Sequence, residues 1–290
     1  MKHLYLIIIL ILAVVYSMIY TIYETFESVK KIYLIWRNLV SDETHHGFGD
    51  KLRGAIYLNH YCKENGFQLI VDGTDDICSE FLKNINSSSY DYIKDKKLVL
   101  FTEENRNDDE FYNIIKNNEE VFTYTNIYPK FELNDNDKEF AKYISEPQEF
   151  MKIMMNEKTK QLPHNYGIQH FRFSDDVFKN DIQEWDSIFI EFFNILKENY
   201  QPTDILLSNS NNFKKYAKEN LGIKTVDCGD ELCKVEHIGH STDYESTKNS
   251  FIEFYIVTNA KYIKGKSFYG NISNFVFWPS KIYDIPYSLY

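Results

Sequence analysis

Residues 47 to 72 read GFGDKLRGAIYLNHYCKENGFQLIVD, and this stretch decides the predicted fold. It begins with a glycine-containing loop. The next part, residues 50 to 65, places small, apolar and amide side chains near one helical face. These side chains are Leu52, Ala55, Ile56, Asn59 and Cys62. The closing FQLIVD is typical of a buried strand, so the stretch predicts a loop, a helix and a strand of a parallel sheet covered by helices.

The same rhythm continues on both sides of this stretch. An apolar segment at 30–40 predicts a first strand, and KLVLFT at 97–102 predicts a further one. From about 104 to 165 the signal weakens, and we interpret its later part as a domain junction with a connecting helix. Strands and helices are then predicted, in chain order, at 166–173, 182–200, 204–209, 212–222, 224–227, 247–260, 261–265 and from 267 onward. The sequence therefore predicts two α/β halves, at 30–150 and 151–290.

Composition limits the classes of function. The chain has 290 residues, 43% of them hydrophobic, which is enough for a large folded core. Its formal net charge of −11 argues against nonspecific nucleic-acid binding, which needs an excess of Lys and Arg. The four cysteines have no zinc-site spacing: Cys62 fits the core, while Cys228 and Cys233 either form a disulfide or stay reduced.

The amino terminus predicts a membrane anchor. Residues Leu4 to Tyr23 contain no charged side chain, and about 20 such residues span a bilayer. Lys2 precedes the apolar run and acidic residues follow it, which favours a cytoplasmic N-terminus and a single pass. We expect the body to lie in the secretory pathway or at a viral or host membrane, where the sequons at Asn86 and Asn271 would be glycosylation acceptors only if the body is lumenal.

Two later stretches carry groups suited to an anionic ligand. HFRFSDD at 170–176 lies where the predicted strand at 166–173 ends in a loop, and the guanidinium of Arg172 can bind a diphosphate through two hydrogen bonds. KYIKGKSFYGNIS at 261–273 predicts a strand, a turn and a helix start, whose backbone N–H groups attract phosphate. Taken singly, each stretch also fits a structural role, as an Arg–Asp pair at a strand end or a capped helix start. The same holds for the G-x-G loop.

An Asp-x-Asp pair is the one pattern that suggests a metal ion. Such pairs hold a divalent cation in metal-dependent sugar transferases, but Asp135 and Asp137 lie in a polar stretch without a buried strand ahead of it. We interpret them as a solvated loop or a helix cap, and we expect no metal site.

Taken in chain order, these stretches resemble the fucosyltransferase superfamily, which includes α1,2-, α1,6- and protein O-fucosyltransferase branches. GFGDK resembles its G-x-G-[ND]-[KRQ] loop, and HFRF resembles its His-x-Arg motif. IEFYIVTNAKYIKGKSFYG at 252–270 resembles its late block, in which an acidic residue begins a helix. The resemblance implies a GT-B-like fold of two Rossmann-like halves facing a cleft, preceded here by a single transmembrane helix.

The resemblance also implies an activity and a site. The expected protein is a membrane-anchored glycosyltransferase that moves a sugar from a nucleotide sugar, GDP-fucose, to a glycan or protein acceptor without a metal. Arg172 would contact the β-phosphate, with Ser267 and Ser273 near the phosphates. Gly47 and Gly49 would allow close backbone approach at the cleft.

An inverting transfer also needs a general base for the acceptor hydroxyl. Four side chains are candidates: His46, Asp50, His170 and Asp175. Arg53, one helical turn beyond the glycine loop, is expected either to reach the cleft or to pair with Asp50.

Two features depart from the superfamily pattern. Phe173 stands where several branches carry a second arginine, and the late loop at 265–274 is bulkier than the usual Gly- and Ser-rich run. Two alternative functions therefore stay open. One is a binding or structural membrane protein that keeps the fold without turnover. The other is a metal-dependent transferase of another nucleotide sugar, in which Asp135 and Asp137 would be ligands.

Overall fold

The computed structural model describes residues 13–15, 29–36, 47–85, 90–93, 96–229, 231–238 and 243–290. The predicted anchor at 4–23 lies outside these residues except for 13–15, and the candidate base His46 lies outside them as well. In the described part of the chain, no helix is both long and apolar enough to cross a membrane. The anchor stays a prediction.

In the described part of the first half, four strands form one sheet. They are Lys31–Ile35 (β1), Gln68–Asp72 (β2), Leu98–Leu100 (β3) and Glu120–Tyr124 (β4). All neighbours pair in parallel, in the order β2-β1-β4-β3. Its helices are Phe48–Asn65 (α1), Tyr90–Ile93 (α2), Asp108–Lys116 (α3), Asp135–Ile144 (α4) and Glu149–Thr159 (α5), with a short 3-10 helix at Ile77–Glu80. The predicted succession of strand, helix and strand is confirmed. The helix begins at Phe48, so Gly49 and Asp50, which were expected in a loop, lie in its first turn and Gly47 directly precedes it.

Strand β4 is the main element that the sequence reasoning missed. It occupies the interior of the sheet, between β1 and β3. Its apolar run is short and follows the polar residues NNEE, so no hydrophobic pattern marks it. The sheet itself holds the strand: the buried Thr123 donates a 2.8 Å hydrogen bond from its hydroxyl to the carbonyl of Val99 on β3.

The second half repeats the plan. Its main strands are Ile168–Arg172 (β5), Ile205–Ser208 (β6), Ile263–Ser267 (β9) and Tyr287–Leu289 (β10), and Asp227–Cys228 (β7) with Glu231–Leu232 (β8) form a small antiparallel hairpin. The main sheet is parallel, in the order β10-β9-β5-β6. Its helices are Ser187–Asn199 (α6), Asn211–Leu221 (α7), Tyr244–Val257 (α8) and Asn274–Ile282 (α9), with a 3-10 helix at Asp175–Phe178. In this register Arg172 lies opposite Ser267.

Two details of the second half differ from expectation. The predicted strand at 224–227 is reduced to a single bridge between Lys224 and Ile205 and to the first residue of the hairpin. The final strand β10 was not predicted.

The hairpin is closed by a disulfide between Cys228 and Cys233, which decides between the disulfide and the reduced state that the sequence left open.

The two halves share one buried core. Helix α9 packs against α1 and α4 of the first half, and α5 packs against α8 of the second. At the start of α1, the ring of Phe48 lies 5.0 Å from Phe251 and 4.9 Å from Phe254, both on α8. These contacts hold the glycine loop against the second half.

Candidate functional site

A cavity of about 260 Å³ lies where the carboxyl ends of β5, β6 and β9 meet the first residues of α1 and α9. Its lining contains eight of the predicted site residues: Gly47, Gly49, Asp50, His170, Arg172, Asp175, Ser267 and Ser273. Parallel strands bring their carboxyl ends to one edge of a sheet, which is where ligands of α/β folds bind. Residues more than 200 positions apart in the chain therefore share one site.

Arg172 supplies the permanent positive charge of the cavity. Its guanidinium forms an ion pair with Asp175, and its central carbon lies 5.3 Å from the ring centre of Phe178. Among the described residues that line the cavity, it is the only arginine or lysine. The Arg172 side chain is 15% exposed and the Asp175 side chain 58% exposed. An anionic ligand would therefore compete with Asp175 for a well-placed guanidinium.

Two helix starts add further positive potential. Gly47 precedes α1 and Ser273 precedes α9, and neither position provides a side-chain hydrogen bond to the first turn. Backbone N–H groups at such helix starts, together with the helix dipole, favour an anion. Both positions line the same cavity as Arg172.

The glycines of the loop permit close packing. A Cβ added to Gly49 would lie 2.7–2.8 Å from atoms of Asn274, including its backbone carbonyl, and one added to Gly47 would lie 2.9 Å from the ring of His237. Position 49 therefore requires glycine, because the Asn274 backbone fills the space of a Cβ, whereas a Cβ at position 47 would require the His237 ring to shift. Asn274 also donates a 2.8 Å hydrogen bond to Asp50. The loop thus fastens the start of α1 to the start of α9.

The basic residues next to these glycines serve the scaffold. Arg53 pairs with Asp50 at 3.2 Å and lies 5.9 Å from the ring centre of Tyr128, and it does not line the cavity. Arg53 was expected either to reach the cleft or to pair with Asp50, and the structure shows the pair with Asp50. Lys51 is buried in an ion pair with Asp76.

His170 is a buried histidine in the cavity wall. Burial, and secondarily the charge of Arg172, lower the pKa of His170 to about 3. Its ring stacks on Phe275, with 6.2 Å between the ring centres. At neutral pH the imidazole is therefore uncharged and a weak base.

We expect His170 to make folding stability depend on pH. The unfolded chain takes up a proton near pH 6.5, while folded His170 does so only near pH 3. The stability that neutral His170 provides is thus present above pH 6.5 and is lost as the pH falls, by about 1.4 kcal/mol per unit. Urea unfolding from pH 7.5 to 5 should show this slope in wild type relative to His170→Gln. Parallel pH profiles for the two proteins would contradict the assignment.

Glu253 belongs to the cavity but was not among the predicted site residues. It lies in α8, and its carboxylate sits 3.3 Å from the buried Nζ of Lys214 on α7. Burial raises the pKa of Glu253, and the charge of Lys214 opposes that rise. Glu253 is the acidic residue of the stretch at 252–270 that resembles the superfamily's late block. It was expected to begin a helix, but α8 begins earlier, at Tyr244. This stretch was the sequence signal by which Glu253 could have been identified as a site residue.

A second missed element is the wall at 235–238, which directly follows the disulfide hairpin. Helix α8 fixes it: the Ser250 hydroxyl accepts a 3.0 Å hydrogen bond from the N–H of Glu236 and donates a 2.7 Å one to its carbonyl. Asn249 donates to the carbonyl of Lys234 at 3.0 Å. No motif or periodicity marks this wall, so only the fold locates it.

Two other expectations concern residues away from the cavity. Phe173 is buried, with its ring 4.8 Å from Phe192 and 5.1 Å from Phe213, so this position faces the core of the second half. Asp137 forms a capping box with Asn134 at the start of α4, as the helix-cap interpretation expected. Over the described ranges, no three His, Cys, Asp or Glu side chains are grouped to hold a metal ion.

Comparison with known proteins identifies the fold. No protein-family model matches the chain, and no curated sequence matches it significantly. Among solved structures, NodZ α-1,6-fucosyltransferase soaked with GDP-fucose aligns with 88% of this chain and 93% of its own, at 11% identity and a TM-score of 0.53. NodZ from Bradyrhizobium aligns with 87% and 93%, at 10% identity and a TM-score of 0.50.

A plant protein gives the same result. A variant of Arabidopsis thaliana FUT1 in complex with GDP aligns with 90% of this chain and 70% of its own, at 10% identity and a TM-score of 0.54. At these identities the likeness concerns the fold. The two parallel sheets and these neighbours confirm the expected α/β architecture, and the chain has a fucosyltransferase-like glycosyltransferase fold.

Proposed function

We propose that the protein is a glycosyltransferase that binds GDP-fucose in this cavity and transfers the sugar to an acceptor hydroxyl without a metal ion. The observation that carries the proposal is the meeting of Arg172 with two helix starts, at Gly47 and Ser273, on one cavity. Together they suit a diphosphate. The fold supports the proposal, since the similar NodZ structure was soaked with GDP-fucose and the similar Arabidopsis structure is a complex with GDP.

The diphosphate would take the place that Asp175 now occupies. Arg172 would bind the β-phosphate, and Ser267, its register partner, would lie beside it. Ser273 would contribute from the start of α9. As the diphosphate leaves, the guanidinium and the helix dipoles would stabilise its growing negative charge, which is the task a cation performs in other transferases.

Glu253 favours guanine as the base. The Watson–Crick edge of guanine presents two N–H donors, at N1 and N2, and a carboxylate can accept both. Glu253 lines the cavity. Burial raises the pKa of Glu253, and the charge of the neighbouring Lys214 opposes that rise and favours the carboxylate. Neither uracil nor adenine offers the same pair of donors.

The transfer itself needs a group that receives a proton. The acceptor oxygen forms a bond to the anomeric carbon, the bond between that carbon and the β-phosphate oxygen breaks, and GDP leaves with the electron pair. Of the described candidates, Asp50 is held by Arg53 and Asn274, and His170 is weakly basic. When the diphosphate binds Arg172, Asp175 loses its ion pair and keeps its contact with the Tyr269 hydroxyl, so we assign it the role of general base.

Calorimetric titration of the full chain with GDP, UDP and ADP tests the donor site. We expect GDP to bind most tightly, with an affinity that EDTA does not change. Absence of GDP binding would overturn the proposal. Activity with another nucleotide sugar that EDTA abolishes would favour the metal-dependent alternative. GDP binding without release or transfer of fucose from GDP-fucose would favour the binding-only alternative.

A further inference from the structure

Two consecutive aromatic side chains stand at the rim of the cavity. Phe268 is 50% exposed and Tyr269 is 51% exposed, and both directly follow Ser267 at the end of β9. Tyr269 lines the cavity, whereas Phe268 lies just outside its lining. Their ring centres are 5.4 Å apart and their planes are nearly perpendicular, at 83°. Single exposed aromatics are common, but an adjacent pair at the mouth of a polar cavity suggests a contact surface.

Hydrogen bonds fix this aromatic pair in place. The backbone N–H of Phe268 donates to the carbonyl of Arg172 at 2.7 Å, and that of Gly270 donates to the carbonyl of Ser267 at 3.0 Å. The Tyr269 hydroxyl accepts from the N–H of Asp175 at 3.1 Å and lies 3.3 Å from its carboxylate. The backbone of Phe268 and the ring of Tyr269 are thus held before any ligand arrives, which lowers the entropic cost of binding.

The position of the pair matches that of an acceptor. The Tyr269 hydroxyl contacts Asp175, which pairs with the Arg172 guanidinium, so a sugar leaving a diphosphate at Arg172 would emerge beside the Tyr269 ring. Asp175 also lies here, where a proton must be received from the acceptor hydroxyl. Phe268, outside the lining, is free to contact a molecule that approaches from solution.

The chemistry of the rim limits what that molecule is. The exposed Asp175 carboxylate and the net charge of −11 disfavour an acidic acceptor. Two rings offer much less area than the roughly 800 Å² per partner of a stable protein interface. A pyranose ring fits both conditions: it is neutral, its C–H face packs against an aromatic ring, and its hydroxyls can reach Asp175.

We infer that the acceptor is a neutral carbohydrate whose sugar ring stacks on the ring of Phe268 and contacts the perpendicular ring of Tyr269. The inference rests on the proposed function and names its acceptor class. It also gives a role to the bulky side chains of the 265–274 loop. Phe268 sets acceptor affinity and has no direct contact with the donor.

The test uses the full chain saturated with GDP. Saturation-transfer NMR and calorimetry measure binding of neutral oligosaccharides built from glucose, galactose and N-acetylglucosamine, and of serine- and threonine-containing peptides as the comparison. We expect binding of at least one oligosaccharide, weakened about tenfold in Phe268→Ala. Phe150→Ala, which removes a partly exposed phenylalanine on α5, is the matched control and should bind the oligosaccharide like wild type.

GDP affinity, measured in each variant, distinguishes a failure of the acceptor inference from a failure of the proposed donor site. If GDP binds and no oligosaccharide does, if peptides bind instead, or if Phe268→Ala binds oligosaccharide like wild type, the acceptor inference is overturned and the donor site stands. If GDP itself does not bind, the proposed function fails and the inference fails with it.

Discussion

Replacing Arg172 with alanine is expected to weaken GDP binding about a hundredfold, which corresponds to about 2.7 kcal/mol. The substitution removes charge-assisted hydrogen bonds to the diphosphate, each of which contributes about 1.5–3 kcal/mol. It also leaves the Asp175 carboxylate beside the phosphates without its partner cation. Arg172→Lys should fall between wild type and Arg172→Ala, because lysine keeps the charge and loses the two-pronged geometry. Isothermal titration calorimetry with GDP measures all three proteins.

Arg106 offers a closely matched control. It pairs with Asp108, and its guanidinium lies 5.0 Å from the ring centre of Tyr57, so its local surroundings resemble those of Arg172. It does not line the cavity. Arg106→Ala should therefore bind GDP like wild type. Equal GDP affinity in Arg172→Ala and wild type, or equal losses in both alanine variants, would rule out the diphosphate role of Arg172.

The convergence of Arg172 and Ser267 could be predicted because both end a strand. Parallel neighbours place their carboxyl ends together, and the two residues lie at or just beyond the ends of predicted strands, an apolar one at 166–173 and a lysine-containing one at 261–265. The placement of Arg53 could not be decided in the same way. Its position one turn into α1 allows either the cleft or Asp50, and the sequence does not show that the fold brings Tyr128 beside its guanidinium.

Other parts of the site depend on contacts that leave no local pattern. The wall at 235–238 has no regular secondary structure, and its position depends on hydrogen bonds to Asn249 and Ser250 of α8. Strand β4 carries only a short apolar run, and its neighbours β1 and β3 determine its role. Sequence periodicity reports one face of one element, so it finds α1 and β5 and misses segments that are positioned by their partners.

The buried pair of Lys214 and Glu253 gives the second large expected effect. Lys214→Met should lower the free energy of unfolding at pH 7 by about 3–5 kcal/mol, because it leaves a buried carboxyl group without its cation. Burial raises the pKa of Glu253, and loss of Lys214 should raise it further. Above pH 4.5 the unfolded chain releases this proton while the folded variant keeps it. The stability of the variant should therefore fall as the pH rises above 4.5, and its deficit should shrink below that pH.

Lys218 provides the control on the same helix. It pairs with Asp227 at 2.8 Å but is 42% exposed, so Lys218→Met should cost less than about 1 kcal/mol at any pH.

The double variant Lys214→Met, Glu253→Gln should recover much of the lost stability, since a neutral amide tolerates burial better than an unpaired carboxylate. That double variant should still bind GDP poorly if Glu253 reads guanine. A Lys214→Met variant as stable as Lys218→Met at pH 7 would show that the pair is not a structural element. If the double variant recovers stability and binds GDP like wild type, Glu253 stabilises the fold and does not recognise the base.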